Sequence, residues 1–225
     1  KNIVIIGAGA SGLMAAAESA KKGNRVTVVE KMPRPARKVL ISGKGRCNVT
    51  NACFDLEELI SNVPANPRFL YSAFSNFMPY DTIAFLADMG VETKIERGNR
   101  VFPVSDKAVD IVDALVKNAK QCGAEIINDR AVAFEFENNL ISAVVLENGG
   151  KISCDAAAVC TGGKSYSSTG STGDGYALAK SAGHSITEIR PCLVPLVCSN
   201  NFIPKLQGLS LKNISIKLLK NEKVV

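Results

Sequence analysis

The sequence predicts an α/β domain, a doubly wound parallel sheet with an antiparallel meander set into it, followed by the start of a second, β-rich domain. Three observations carry that reading. The chain opens on a nearly unbroken apolar segment, Ile3-Val4-Ile5-Ile6, which runs straight into glycines and an alanine-rich helix. A strand without polar alternation is buried on both faces, as in a parallel sheet covered by helices. Between Ser105 and Gly123, the residues Ala108, Ile111, Val112, Leu115, Val116 and Ala119 share one helical face. From Ala124 onward the period shifts towards two, with Asn138-Asn139 and Asn148-Gly149-Gly150 as hairpin signals.

Taken in order, the strand from Asn2 to Ile6 leads through Gly7 to Gly12 into a helix reaching Lys22, and then into a strand from Arg25 to Glu30. Asp55 and Asp81 read as N-caps of short helices, the second closing at Gly90. After the amphipathic helix, Glu125 to Ile127, Ala131 to Phe136, Leu140 to Leu146 and Lys151 to Cys154 are expected to form the meander, followed by an apolar strand from Ala156 to Cys160. A second glycine-rich stretch, Thr161 to Gly175, precedes a helix ending at Gly183. Prolines at 191, 195 and 204 mark a change of region, and Leu209, Leu211, Ile214, Ile216 and Leu218 alternate like strands of a new sheet. The expected division is therefore residues 1–190 and residues 191–225.

A chain of 225 residues, 46% hydrophobic and 21% charged, can close a sizeable core. No apolar run reaches the roughly 20 residues that span a bilayer, and no cleavage-site pattern follows the first strand. Seven cysteines without a C-x-x-C pair suit a reducing compartment, so the expected location is the cytoplasm. The net charge of +6 invites a polynucleotide, but only 6% of residues are aromatic and none is Trp, which argues against it. A single histidine, His184, excludes mechanisms that need a His-rich zinc site or two imidazoles, and no metal is expected. Sparse acid–base machinery is what a cofactor-driven reaction leaves to its protein.

Gly7-Ala8-Gly9-Ala10-Ser11-Gly12 matches G-x-G-x-x-G directly after a buried strand and at the head of a helix. Gly7 permits the tight turn, Gly9 admits a pyrophosphate to the backbone, and Gly12 lets helix and strand approach. The helix N-terminus offers free N–H groups to phosphate oxygens. Glu30, at the end of the second strand, is placed to accept hydrogen bonds from ribose hydroxyls. Both NAD and FAD carry the ADP half that such a site reads. Lys31, Arg34, Arg37 and Lys38 can neutralise pyrophosphate or form a solvated basic loop. The polar run Ser42-Gly43-Lys44-Gly45-Arg46-Cys47-Asn48-Val49-Thr50-Asn51 suits the lining of a flat polar ring system. Thr161-Gly162-Gly163-Lys164-Ser165 imitates the end of a Walker loop, but Ala158 stands where that loop needs glycine.

The run Ser42 to Asn51, together with Gly98 to Ser105, Thr161 to Ser165 and Gly170 to Gly175, resembles the bacterial flavoproteins known as HI0933-like or BaiN-like, often labelled aminoacetone oxidase-like. The similarity covers nearly the whole chain. It implies that Gly7 to Gly12 and Glu30 hold the ADP half of FAD, and that Gly45, Arg46, Cys47 and Asn48, with Thr50 nearby, pass beside the pyrophosphate and flavin. Thr161, Gly162 and Gly163 would form the turn where the chain leaves the FAD domain. Val132 and Asp174 complete the candidate contacts, Asp174 serving equally well as a helix N-terminal charge. Cys47 reads as a packed small residue more readily than as a thiolate. Asn99 and Ser167 stand where many relatives carry glycine and proline.

The expected function is flavoprotein oxidoreductase, with FAD carrying hydride from NAD(P)H to a small organic acceptor, or from an amine or other reduced substrate to oxygen. The alternatives are an FAD-dependent RNA-modifying enzyme and a flavin-binding redox module that does not turn over. In the resembling family the FAD domain is discontinuous, so the expected partners are a small-molecule substrate and a remaining or complementary segment that completes the FAD site.

Overall fold

The computed structural model describes residues 1–191, 197–211 and 214–224; Cys192 and Pro195 lie outside them. The chain divides into two compact units, Lys1–Ile186 and Thr187–Val225. In chain order the first unit comprises β1 (Asn2–Ile6), α1 (Ala10–Lys21), β2 (Arg25–Glu30), α2 (Arg37–Ile41), β3 (Thr50–Asn51), α3 (Leu56–Ser61), α4 (Tyr71–Asn76) and α5 (Pro79–Asp88). There follow β4 (Thr93–Glu96), β5 (Arg100–Pro103), α6 (Ala108–Gln121), β6 (Glu125–Asn128), β7 (Ala131–Glu137), β8 (Leu140–Leu146), β9 (Lys151–Ser153), β10 (Ala156–Val159) and α7 (Asp174–Ser181).

The central sheet runs β10-β1-β2-β6, all parallel. Its residues alternate between two apolar layers. Ile5, Val26 and Val28 face α1 and α6, where Leu13, Ala16, Ile111, Val112, Leu115 and Ala119 are buried against them. Val4, Ile6 and Val29 turn the other way and pack on Ala131, Val144 and Leu146 of the antiparallel sheet β7-β8-β9. Both faces are thus covered, as the unbroken apolar run of β1 requires. The second cover is the meander itself.

Glu125 to Ile127 leaves the meander and joins the parallel sheet, pairing with β2 from Thr27↔Glu125 to Glu30↔Asn128. The cause is two-sided burial: Ile126 packs into the helix layer and Ile127 into the meander layer, so adjacent residues are both apolar. Asp55 is the N-cap of α3 and accepts from the Glu58 N–H at 2.8 Å. Asp81 is not a cap. The helix begins earlier, at Pro79, and the Asp81 carboxylate reaches back to the Met78 N–H at 2.7 Å. Asn138 and Asn139 both take positive φ, 51° and 63°, as a two-residue hairpin turn demands. Asn99 has φ 56°, a left-handed geometry that asparagine tolerates better than most residues.

In the second unit, β11 (Leu219–Lys220) and β12 (Lys223–Val224) form an antiparallel hairpin. The strands expected across Leu209–Leu218 are not formed in its described residues, 209–211 and 214–218. Their apolar alternation has no adjoining ladder there, and Leu209, Leu211, Ile214, Ile216 and Leu218 are exposed. Among the described residues, no helix is long and apolar enough to cross a membrane.

Candidate functional site

A cleft of about 550 Å³ opens at the carboxyl ends of β1, β2 and β10, where an open α/β sheet presents its ligand crevice. Its floor is the glycine turn. Gly7 has φ 103°, and a Cβ there would lie 2.6 Å from the Cys160 carbonyl oxygen. At Gly12 a Cβ would lie 1.9 Å from the Gly7 oxygen, so helix and strand touch backbone to backbone. Gly9 differs: the nearest atom to a Cβ is 4.0 Å away, so a side chain would project into open space at the cleft wall. The first bond of α1 runs from the Leu13 N–H to the Gly9 oxygen at 2.9 Å, leaving the Ala10, Ser11 and Gly12 N–H groups ahead of the helical ladder. No acidic side chain occupies that first turn.

Glu30 forms the wall beside this turn. Its two carboxylate oxygens accept from the Ala8 N–H at 2.7 Å and the Met32 N–H at 2.8 Å, which fixes the group while leaving lone pairs for a ligand. The Ala36 N–H donates to the Ala8 oxygen at 2.9 Å and so pins the basic loop against the same turn. Arg34, Arg37 and Lys38 line the cleft from that loop. Lys31 also lines it, but its ammonium donates to Thr172 Oγ1 at 2.6 Å and Asp174 Oδ2 at 2.8 Å. Asp174 receives further bonds from Arg130. Burial disfavours the ionised Asp174, but Lys31, Arg130 and Thr172 outweigh it and bring its pKa down to about 2.

Cys47, Asn48, Thr161 and Gly162 line the cleft as well. Burial pushes the Cys47 thiol up, and does the same at Cys160, where a hydrogen bond with Ser11 partly opposes it. Neither is poised as a thiolate. The remaining sequence candidates do not line the cleft. Gly12 lies beneath the turn, and neither Gly45 nor Gly163 belongs to the wall. Thr50 is committed to β3, paired with Val101. Val132 is exposed on β7, whose alternation sends it outward while its neighbour Ala131 lines the cleft. Arg46 turns to Glu96 and Asp106, and its guanidinium sits 4.1 Å from the centre of the Phe102 ring. That pairing raises its pKa, while Arg46 lowers that of Glu96, and Lys94 followed by Arg46 lowers that of Asp106.

Two parts of the wall were not among the sequence candidates. Met14, Val39, Phe77, Phe85, Ile111 and Leu115 form an apolar end; drawn from α1, α2, α5 and α6 and, for Phe77, from the bend after α4, they carry no local signal. Thr169, Gly170 and Ser171 close the other end. Gly170 is the clue there, since a Cβ would come 2.7 Å from Met32 Cγ.

Comparison with known proteins is consistent with this architecture. The chain matches the HI0933-like protein Rossmann domain over residues 1–225. It is 32% identical over 211 residues to a 3-dehydro-bile acid delta(4,6)-reductase of Clostridium scindens, covering 92% of this chain and 50% of that protein. It is 30% identical over 214 residues to a ribosomal RNA dihydrouridine synthase of Escherichia coli, again covering 92% and 50%. The chain spans about half the length of these curated relatives. In fold it is similar to the 3-ketosteroid-delta4-(5alpha)-dehydrogenase of Rhodococcus jostii RHA1, with a TM-score of 0.56 at 16% identity over 71% of this chain and 45% of that one. A family match that runs from the first residue to the last, with relatives at 30% identity or more, settles the kinship: the chain belongs to the HI0933-like family and forms its Rossmann domain.

Proposed function

We propose that the cleft binds FAD non-covalently and that the chain is the cofactor-binding part of an oxidoreductase that transfers hydride from NAD(P)H to an activated carbon–carbon double bond in a small organic acceptor. The observation that carries this reading is one continuous cleft joining a bare helix N-terminus, a fixed Glu30 carboxylate and a second glycine turn at Gly162. The fit is steric as well as chemical, because the space that a Cβ at Gly9 would fill is the space a pyrophosphate needs.

Glu30 accepts the ribose hydroxyl hydrogens. The Ala10 and Ser11 N–H groups, with the α1 dipole behind them, receive phosphate oxygens, and Arg37 and Lys38 add positive charge. Cys47, Asn48, Thr161 and Gly162 flank the ring end, and Phe77 and Phe85 exclude water from the apolar side. When bound, FAD supplies a ring that accepts hydride from a reduced donor and passes it to an acceptor. The substrate side would come from the part of the protein corresponding to the half of its relatives outside the match.

The acceptor class rests on the relatives' names. A delta(4,6)-reductase and a dihydrouridine synthase both add hydrogen across a carbon–carbon double bond. A second reading, in which the acceptor is a uridine within RNA, is supported by the names of two relatives, at 30% and 32% identity. Release of FAD on denaturing the purified protein, bleaching of its absorbance by NADH or NADPH without oxygen, and recovery on adding a conjugated enone are expected. Recovery only with uridine-containing RNA selects the second reading. Recovery of FMN, or of no flavin after reconstitution, overturns the cofactor.

A further inference from the structure

The segment between β10 and α7 forms one wall of the cleft, and its backbone is held by side chains. Gly162, Gly170 and Gly173 take φ of 72°, 97° and 92°, conformations that cost other residues strain. Gly170 rests against Met32, and Ser171 is 6% exposed. Lys31, immediately after Glu30, bonds Thr172 and Asp174 at 2.6 and 2.8 Å. Arg130, just before β7, bonds the same carboxylate at 3.2 and 3.3 Å, and the Thr172 hydroxyl adds a bond at 2.9 Å. Lys31 and Asp174 side chains are 22% and 16% exposed, so salt screens their attraction less than that of a surface pair.

We propose that Asp174, acting through Lys31 and Arg130, latches residues 162–173 against the strand end that carries Glu30 and so sets how long an adenine dinucleotide stays in the cleft. The inference rests on the FAD reading above. Thr169, Gly170 and Ser171 are wall residues, so a ligand lying along the cleft leaves when that wall parts from Met32. Parting breaks charge-assisted bonds from two cations at once. Lys31 and Asp174 are positioning residues here. The competing role, Lys31 as a phosphate ligand, makes the opposite forecast: freeing Lys31 from Asp174 would then tighten binding.

FAD release from the loaded protein, followed as free-flavin fluorescence after dilution, separates the two. Asp174→Asn and Lys31→Met should each speed release about tenfold or more. The double variant should add little beyond either one, and Lys31→Arg should restore most of the loss. Association should hardly change, and Lys151→Met, which removes a surface pair with Glu135, should release at the wild-type rate. Thr172→Val, which removes a hydroxyl from the network without changing charge, serves if Asp174→Asn melts below the assay temperature. Release at or below the wild-type rate in Asp174→Asn, with FAD uptake still weakened by Glu30→Gln, overturns the latch alone. A protein that takes up no FAD overturns the cofactor reading, and the latch with it.

Discussion

Two glycine-rich segments line the cleft, and they are held in different ways. The first, Gly7 to Gly12, is fixed by contacts between backbone atoms: a Cβ at Gly7 or Gly12 meets carbonyl oxygen at 2.6 or 1.9 Å. The second, Gly162 to Gly173, leans on a flexible methionine and on ion pairs with residues 44 and 143 positions away. Sterics specify the first locally. Charge specifies the second only once the chain is folded. A segment of the first kind makes a fixed floor, and one of the second kind makes a wall that can part.

The sharpest test of that contrast is Gly12→Ala. A Cβ there would meet the Gly7 carbonyl at 1.9 Å, backbone that cannot move aside, and we expect destabilisation of about 3 kcal/mol or outright failure to fold, read by thermal melting. Glu30→Ala comes next. It should cost about 2 kcal/mol of FAD affinity, roughly thirtyfold in Kd by titration calorimetry, with Glu30→Gln milder. Gly170→Ala meets side chains alone, Met32 at 2.7 Å and Lys31 at 3.6 Å, which can shift, and carries the left-handed φ as its main cost; about 1 kcal/mol of stability with the fold kept is expected from chemical denaturation.

Asp174 sharpens the comparison through pH. Its folded pKa of about 2 lies below the unfolded value, so its contribution is present above that unfolded value and is lost as pH falls through about 2. Lys31, Arg130 and Thr172 face it, and Glu147 shares Arg130. FAD release should therefore be insensitive to Asp174 titration from neutral pH down to about 4, measured as release rate against pH. The smallest expected effect is at Arg46→Gln: FAD affinity unchanged, because the guanidinium belongs to the Glu96 and Asp106 cluster and lies off the cleft wall.

The same division separates what could be read in the sequence from what could not. The strand, glycine turn, helix and Glu30 were legible because each is dictated within about 25 residues by burial and sterics. The pairing of Asn138 with Asn139 was legible for the same reason. The place of Glu125 to Ile127 was not, since strand partner is a property of topology and a four-residue strand has no period to read. Arg46 was expected beside the flavin, but the structure puts it on Phe102, because the acids that claim it lie 50 and 60 residues on. Lys31 was equally legible as a cation and equally illegible as Asp174's partner.

The turn at Gly7 has a history during synthesis. Its second wall is the Cys160 carbonyl, and β1 gains its outer neighbour only when Ala156 to Val159 pair with it. Ribosomes add roughly 5–20 residues per second, so this strand, among the first residues of the domain to emerge, waits about 8–30 s for the roughly 150 residues that must follow. During that interval Ile3 to Ile6 has β2 on one edge and an unpaired edge on the other, a sticky and aggregation-prone condition. The nucleotide floor cannot close before the strand that walls it has been made.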